Sequence, residues 1–122
     1  MYLSTVTATF SSAHFLREYA GKCEKLHGHN WRVEVTVATE ELDKAGMGLD
    51  FTILRRKAGE FLSDLDHAVL NELPPFLEQN PSAENLARHI FTGLRDDLED
   101  DRVRLWKVKV WESDTSWAEY RP

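Results

Sequence analysis

Two segments in the first third of the chain alternate between apolar and polar residues. Residues 2–15 and 27–37 both have a period of two, which is typical of half-buried strands. In both segments the apolar phase also contains histidine. The residues of this phase are Val6, Ala8, Phe10 and His14 in the first segment and His27, His29, Trp31, Val33, Val35 and Val37 in the second. We therefore predict two strands whose histidines point toward the core.

Two later segments have the 3.6-residue period of an amphipathic helix. The first follows a turn at residues 46–48 and is preceded by Asp50, a suitable N-cap. The second begins where either Asn80 or Ser82 can supply the N-cap. The apolar positions are Phe51, Leu54, Ala58, Phe61, Leu62 and Leu65 in the first helix and Ala83, Leu86, Ala87, Ile90 and Leu94 in the second. Two helices are therefore predicted after the two strands.

The C-terminal part of the chain returns to alternation. Residues 103–112 predict a third strand, with Trp106 in its apolar phase and Glu112 at the end of that phase. A turn then leads into a last strand at residues 117–121. The acidic run at residues 96–101 is interpreted as a solvated loop that ends the second helix, and it is assigned no function.

This order of elements predicts an α+β fold. We expect a four-stranded antiparallel sheet with two helices inserted between its second and third strands. No repeat, linker or low-complexity segment divides the chain, so residues 1–122 should form a single domain. Helices on one face leave the other face and both sheet edges uncovered. Oligomerisation is the simplest way to cover them.

Composition narrows the possible partners. Lys and Arg number 15 against 21 Asp and Glu, and the formal net charge of -6 argues against a nucleic-acid or acidic membrane partner. One cysteine cannot form an internal disulfide, and no apolar stretch approaches the roughly 20 residues of a membrane helix. The N-terminal residues also lack the pattern of a signal peptide. We therefore expect a cytoplasmic protein that binds neither nucleic acid nor membranes.

The histidines of the two predicted strands can converge on a metal ion. His27 and His29 point the same way because they are two residues apart on a strand, and His14 ends the neighbouring strand. A histidine pair alone is more often structural, and the third imidazole changes this interpretation. Three protein nitrogens suit Zn²⁺ and leave a fourth coordination position, as in catalytic zinc sites.

Cys23 determines which kind of zinc site this would be. As an isolated cysteine it can be a small buried apolar residue. As a fourth ligand it would complete a structural zinc site. Lys22, Lys25 and a nearby metal ion would instead favour a reactive thiolate. The residues alone leave these alternatives open.

Four other polar residues need interpretation. Asp66 and His67 follow the first helix, either as a helix end with a histidine favoured by the dipole or as an acid–base pair oriented by the carboxylate. Glu112 is an acid in a core phase, which is costly unless it lies in a pocket, where it could bind a guanine-like heterocycle. His89 lies off the apolar stripe, so we expect it to be exposed and its replacement to be nearly neutral.

Together these motifs resemble the 6-pyruvoyltetrahydropterin synthase and 6-carboxytetrahydropterin synthase family over nearly the whole chain. The three residues between Cys23 and His27 look like the spacing of the bacterial 6-carboxytetrahydropterin synthases of queuosine biosynthesis. The matching residues are His14, Cys23, His27-Gly28-His29-Asn30, Leu49-Asp50-Phe51, Leu65-Asp66-His67, Pro81-Ser82-Ala83-Glu84-Asn85-Leu86 and Glu112-Ser113.

The resemblance implies a tunnelling (T-) fold in which subunits form trimeric β-barrels, and two trimers stack into a hexamer with active sites between subunits. The implied reaction converts 7,8-dihydroneopterin triphosphate to 6-carboxy-5,6,7,8-tetrahydropterin, acetaldehyde and triphosphate. The alternatives are a pyruvoyl synthase, which retains the side chain, and a non-catalytic zinc-stabilised binding module. The implied site residues are the zinc ligands His14, His27 and His29, the catalytic Cys23, Asp66 and His67, and the pterin anchor Glu112.

Overall fold

The computed structural model describes residues 1–122 and contains one β-sheet and two α-helices. Two short 3-10 helices, Leu70–Glu72 and Pro74–Phe76, precede the second α-helix. The elements are β1 (Tyr2–His14), β2 (His27–Thr39), α1 (Phe51–Leu62), β3 (Ala68–Val69), α2 (Ala83–Leu98), β4 (Val103–Ser113) and β5 (Ser116–Tyr120). The order across the sheet is β3-β1-β2-β4-β5, and both helices share one apolar core with it. The predicted α+β class is confirmed.

The sheet has five strands rather than the predicted four. The additional strand, β3, is two residues long and pairs parallel to β1 at Ser12 and Ala13. Such a short segment has too few residues to show alternation in the sequence. The other four strands pair antiparallel, and both helices lie between β2 and β4 along the chain.

The pairing of β1 with β2 decides which side chains face the helices. The two strands pair along their whole lengths, with Phe10 opposite Trp31 and His14 opposite His27. Phe10, Trp31 and His14 are all buried. Because successive side chains on a strand alternate between faces, the whole apolar phase of both strands lies on the helix side. The phase predicted from the sequence is therefore confirmed.

A β-bulge in β4 changes the phase that alternation predicts for this strand. Lys107 and Leu105 pair with consecutive residues of β2, so Trp106 is the extra residue between them. The Trp106 ring is half-buried, and the Arg121 guanidinium lies over it at 3.4 Å from the ring centroid. The expectation that Trp106 lies in the core is therefore wrong.

Both helices begin at residues that the sequence indicates. The Asp50 carboxylate accepts a hydrogen bond from a backbone N–H of α1 at 2.8 Å, and the Ser82 hydroxyl accepts one from α2 at 3.2 Å. Asn80, the alternative N-cap, binds the backbone of Arg17 instead. Neither α1 nor α2 combines the length and the apolar content that are needed to cross a membrane.

Two features of the helices differ from the sequence-based expectation. Phe51, assigned to the apolar stripe of α1, is exposed. The acidic run is not all loop, because α2 continues through it to Leu98. After the helix, the Asp100 carboxylate accepts hydrogen bonds from the backbone N–H groups of Arg102 and Val103 at 2.7 and 2.8 Å. Part of this run therefore shapes the turn into β4.

His89 is half-buried, so the expectation that it is exposed is wrong. Its ring packs between Phe61 of α1 and Phe76, with centroid distances of 5.4 and 5.3 Å. The Phe61 ring also covers Gly93 of α2, where an added side chain would overlap it. A helical wheel of α2 alone does not include these neighbouring elements. Replacement of His89 is consequently no longer expected to be neutral.

We predict that Gly93→Ala destabilises the protein, because the added methyl group would push the Phe61 ring away from α2. Overpacking of this kind costs about 1–3 kcal/mol. Gly59→Ala on α1 is the matched control, since its methyl group would meet no atom within 4 Å and alanine favours the helix. Urea unfolding should show a lower free energy of unfolding for Gly93→Ala only. Equal effects of the two substitutions would contradict this packing.

We also predict that His89 makes the protein less stable in acid. Burial lowers the pKa of His89, so the unfolded chain takes up a proton more readily than the folded one. The free energy of unfolding should therefore fall as the pH drops below about 6.5, the ordinary pKa of histidine. His89→Gln removes this group, and urea unfolding of metal-free protein between about pH 7.5 and 5.5 should show a smaller loss for the variant. An identical loss in both proteins would rule out the contribution of His89.

Candidate metal centre and active site

Three imidazole rings meet at one end of the β1–β2 pair. His14 lies directly opposite His27, and His29 lies opposite Ser12 on the same face. The ring centroids are 4.7 Å apart for His14 and His27, 5.0 Å for His14 and His29, and 4.8 Å for His27 and His29. The indole of Trp31 packs against the rings of His14 and His29 at 4.9 and 5.1 Å. The structure thus brings together the three histidines that the sequence selects.

Backbone carbonyl groups orient two of these rings from outside the cluster. Nδ1 of His14 lies 2.8 Å from the Pro81 carbonyl oxygen, and Nδ1 of His27 lies 2.8 Å from that of Lys25. A carbonyl oxygen can only accept, so in the neutral rings Nδ1 carries the hydrogen and Nε2 keeps its lone pair. Nε2 of His14 and Nε2 of His29 are buried without a hydrogen-bond partner. Buried nitrogens of this kind fit a metal ion.

The environment of His29 also favours the uncharged imidazole that metal binding requires. Burial lowers the pKa of His29, and the neighbouring His14 and His27 lower it further, although the Glu112 carboxylate acts in the opposite direction. Because a protonated imidazole cannot bind a metal ion, this lowering favours binding at neutral pH.

Glu112 brings a carboxylate to the same centre. Its Oε1 lies 3.3 Å from Nε2 of His14 and 3.1 Å from Nε2 of His29. One ligand atom of each of the four residues, including His27, lies within 4.8 Å of the others. Glu112 stands where the β4–β5 pairing shifts its register, near the end of β4. Three imidazoles and a carboxylate could therefore hold a metal ion.

The chain between β3 and α2 supports His14, a role that the sequence reasoning missed. The Asn71 side-chain amide bonds both backbone groups of the residue after His14, at 2.9 Å each, and the Asn80 amide does the same for Arg17 at 2.8 and 3.0 Å. The Arg17 guanidinium donates to three carbonyl oxygens of this segment. These contacts hold the Pro81 carbonyl group against the imidazole. The only sequence signal was the motif at residues 81–86, because loop amides have no periodicity.

Asp66 and His67 form a hydrogen-bonded pair at the outer edge of β1. Asp66 Oδ2 lies 2.8 Å from Nδ1 of His67, and Asp66 Oδ1 accepts a hydrogen bond from the backbone N–H of Ser11 at 2.8 Å. The Ser11 N–H, followed by His67, lowers the pKa of Asp66 and keeps it ionised. His67 has a φ of 55°, and its side chain is 84% exposed. The pair lies beyond the end of α1 and presents an oriented imidazole at the surface.

Cys23 lies in an exposed loop between β1 and β2. Leu16 and Glu24 close the base of this loop, because each donates its backbone N–H to the other residue at 2.9 Å. The interpretation of Cys23 as a buried apolar residue is therefore wrong. Its thiol is not among the groups that converge at the metal centre, where the fourth group is the carboxylate of Glu112.

Comparisons with known proteins agree with this architecture. The family model described as 6-pyruvoyl tetrahydropterin synthase matches residues 4–122. The 6-carboxy-5,6,7,8-tetrahydropterin synthase of Bacillus subtilis is 34% identical over 119 residues, which cover 92% of this chain and 80% of the relative. The protein of that name from Synechocystis is 35% identical over 117 residues, covering 92% of this chain and 87% of the relative.

A solved structure shows the same fold. The 6-pyruvoyl tetrahydropterin synthase of Caenorhabditis elegans superposes with a TM-score of 0.84 at 22% identity, covering 99% of this chain and 95% of that one. The fold, the matched residues and the sequence identity to curated relatives lead to one conclusion. This chain belongs to the 6-pyruvoyl tetrahydropterin synthase family.

Proposed function

We propose that this protein converts 7,8-dihydroneopterin triphosphate and water to 6-carboxy-5,6,7,8-tetrahydropterin, acetaldehyde and triphosphate, as a zinc-dependent carbon–carbon lyase of queuosine biosynthesis. One observation carries the proposal. Three imidazoles meet, two of them with a buried, unpartnered Nε2, in a chain whose relatives are named 6-carboxy-5,6,7,8-tetrahydropterin synthase. Imidazole nitrogens without another partner are what a zinc site requires.

The donor set fits zinc. Histidine nitrogens are common zinc ligands, and His14, His27 and His29 would hold the ion through Nε2. When bound, the ion would supply Lewis-acid chemistry to the hydroxylated side chain of the substrate. The carbonyl groups of Pro81 and Lys25 would keep two of the rings in the required tautomer and orientation.

The remaining residues would divide proton transfer and substrate binding between them. Cys23 would remove a carbon-bound proton from the substrate side chain, and its exposure in the loop makes the thiol accessible. His67 would return or relay a proton, with Asp66 holding Nδ1 so that Nε2 faces outward. Glu112 would accept hydrogen bonds from the amino and ring N–H groups of the pterin.

We further propose that the chain assembles into a hexamer of two stacked trimeric β-barrels, with active sites between subunits. The outer edges of β5 and of residues 2–10 of β1 pair with no other strand of the chain, and such edges are suited to pairing between subunits. Apolar side chains are also exposed near the start of β1 and α1. They are Met1, Tyr2, Leu3, Leu42, Met47, Phe51 and Ile53.

The direct test is incubation of the zinc-loaded protein with 7,8-dihydroneopterin triphosphate, followed by identification of the products. We expect acetaldehyde, triphosphate and 6-carboxy-5,6,7,8-tetrahydropterin in equal amounts. Release of triphosphate with a retained three-carbon side chain would instead indicate a 6-pyruvoyltetrahydropterin synthase. The absence of any product would favour a binding module.

Two alanine variants separate a catalytic thiol from a metal ligand. Cys23→Ala should keep its zinc and lose at least about 100-fold in turnover, because a proton-transfer group is removed. His27→Ala should lose most of its zinc together with its activity, because two imidazoles remain. Metal analysis and product formation are measured on the same samples. Loss of zinc from Cys23→Ala would support a site in which the thiolate is the fourth ligand.

A further inference from the structure

The position of Glu112 conflicts with a single role as pterin anchor. A residue that only anchors the pterin ring needs no contact with the metal centre. Instead, Oε1 of Glu112 lies 3.3 Å from Nε2 of His14 and 3.1 Å from Nε2 of His29. This oxygen therefore reaches the space that the three imidazoles enclose.

In its neutral form His14 does not attract the Glu112 carboxylate directly. The hydrogen on Nδ1 of neutral His14 is donated to the Pro81 carbonyl group, so Nε2 presents a lone pair to the carboxylate. Neither this Nε2 nor that of His29 makes a hydrogen bond, despite the short distances to Glu112. The lone pair of His14 Nε2 and the Glu112 carboxylate thus face each other, and a cation between them would satisfy both. The arrangement is therefore suited to a cation shared by His14, His29 and Glu112.

Glu112 is also able to leave this position. Its side chain is 37% exposed, whereas that of His14 is 2% exposed and held by a hydrogen bond from its ring. Glu112 lies beside the register shift of the β4–β5 pair rather than in the regular ladder. The carboxylate can consequently rotate without moving the three imidazoles.

We propose that Glu112 is an exchangeable fourth ligand of the metal ion. In the substrate-free protein its carboxylate binds the metal ion together with His14, His27 and His29. When the substrate enters, its side-chain hydroxyl groups take the place of the carboxylate, which turns to the pterin ring. Only the displacement of Glu112 by the substrate rests on the proposed function. The substrate-free ligand set is inferred from the four converging side chains.

The exchange would make the protein selective for pterins with a hydroxylated side chain. A pterin without that side chain must withdraw Glu112 from the metal ion and supplies no ligand in return. Part of its binding free energy is therefore lost to this withdrawal, and metal binding and plain pterin binding oppose each other reciprocally. Neopterin supplies the hydroxyl groups and avoids this loss.

The first test uses Co²⁺ in place of zinc, because its visible absorption reports the ligands of the ion. Glu112→Gln should change the Co²⁺ absorption and weaken zinc binding by about tenfold or more in a chelator competition. Glu119→Gln is the control, because it makes the same substitution on neighbouring β5, where Glu119 pairs with Lys107 at 3.4 Å. It should leave both readouts unchanged. A Glu112→Gln protein with wild-type absorption and zinc affinity would overturn the proposal.

The second test is made on the Co²⁺-loaded wild-type protein, with Glu112→Gln as the reference. Adding pterin without a side chain should change the Co²⁺ absorption of the wild-type protein, because Glu112 leaves the ion, and should not change that of Glu112→Gln. An unchanged wild-type spectrum at saturating pterin, or equal changes in both proteins, would refute the exchange. Neither test requires turnover. A protein that makes no acetaldehyde but passes both tests would refute the proposed reaction and retain the ligand exchange.

Discussion

The register between β1 and β2 is the constraint on which the metal centre depends. It places His14 opposite His27 and sets His29 on the same face, within 5.0 Å of the His14 ring centre. A slip of one residue would turn one strand's imidazoles to the other face of the sheet. The register is held by the apolar residues of both strands, above all by Trp31, which is fully buried beside the histidines. The packing that stabilises the fold thus also positions the candidate ligands.

This arrangement has a cost that metal binding would offset. A buried polar atom without a hydrogen-bond partner typically costs about 1–3 kcal/mol, and the centre has two such nitrogens. The strands cannot relieve this cost locally, because the outer nitrogen of His14 already binds the Pro81 carbonyl group. The segment before α2 is fixed in turn by the amides of Asn71 and Asn80. The fold therefore holds Nε2 of His14 in place rather than letting it turn to solvent.

The sequence predicted those parts of the structure that depend on local periodicity and capping. The phases of β1 and β2 and the caps at Asp50 and Ser82 follow from side-chain alternation and hydrogen-bond chemistry within a few residues. The errors occur where distant elements decide. Trp106 is displaced by a bulge against β2, and His89 is covered by residues outside its own helix. The two-residue β3 exists only because β1 offers it a partner.

In the candidate site, too, local patterns were predictable from the sequence and contacts between distant elements were not. The sequence selected the three histidines through their phase, and it selected Asp66 with His67 through a motif. It could not place Glu112 against the imidazoles, because that contact depends on how β4 ends beside β5. Nor could it identify Asn80 as a support of His14, since a loop amide has many possible partners.

The central claim is that the three Nε2 atoms bind one metal ion. Crystals of the zinc-loaded protein, measured on both sides of the zinc absorption edge, test it directly. We expect one anomalous peak per chain, about 2.0–2.1 Å from Nε2 of His14, His27 and His29. A peak bonded to the Cys23 sulfur, or one remote from any of these imidazoles, would contradict the account.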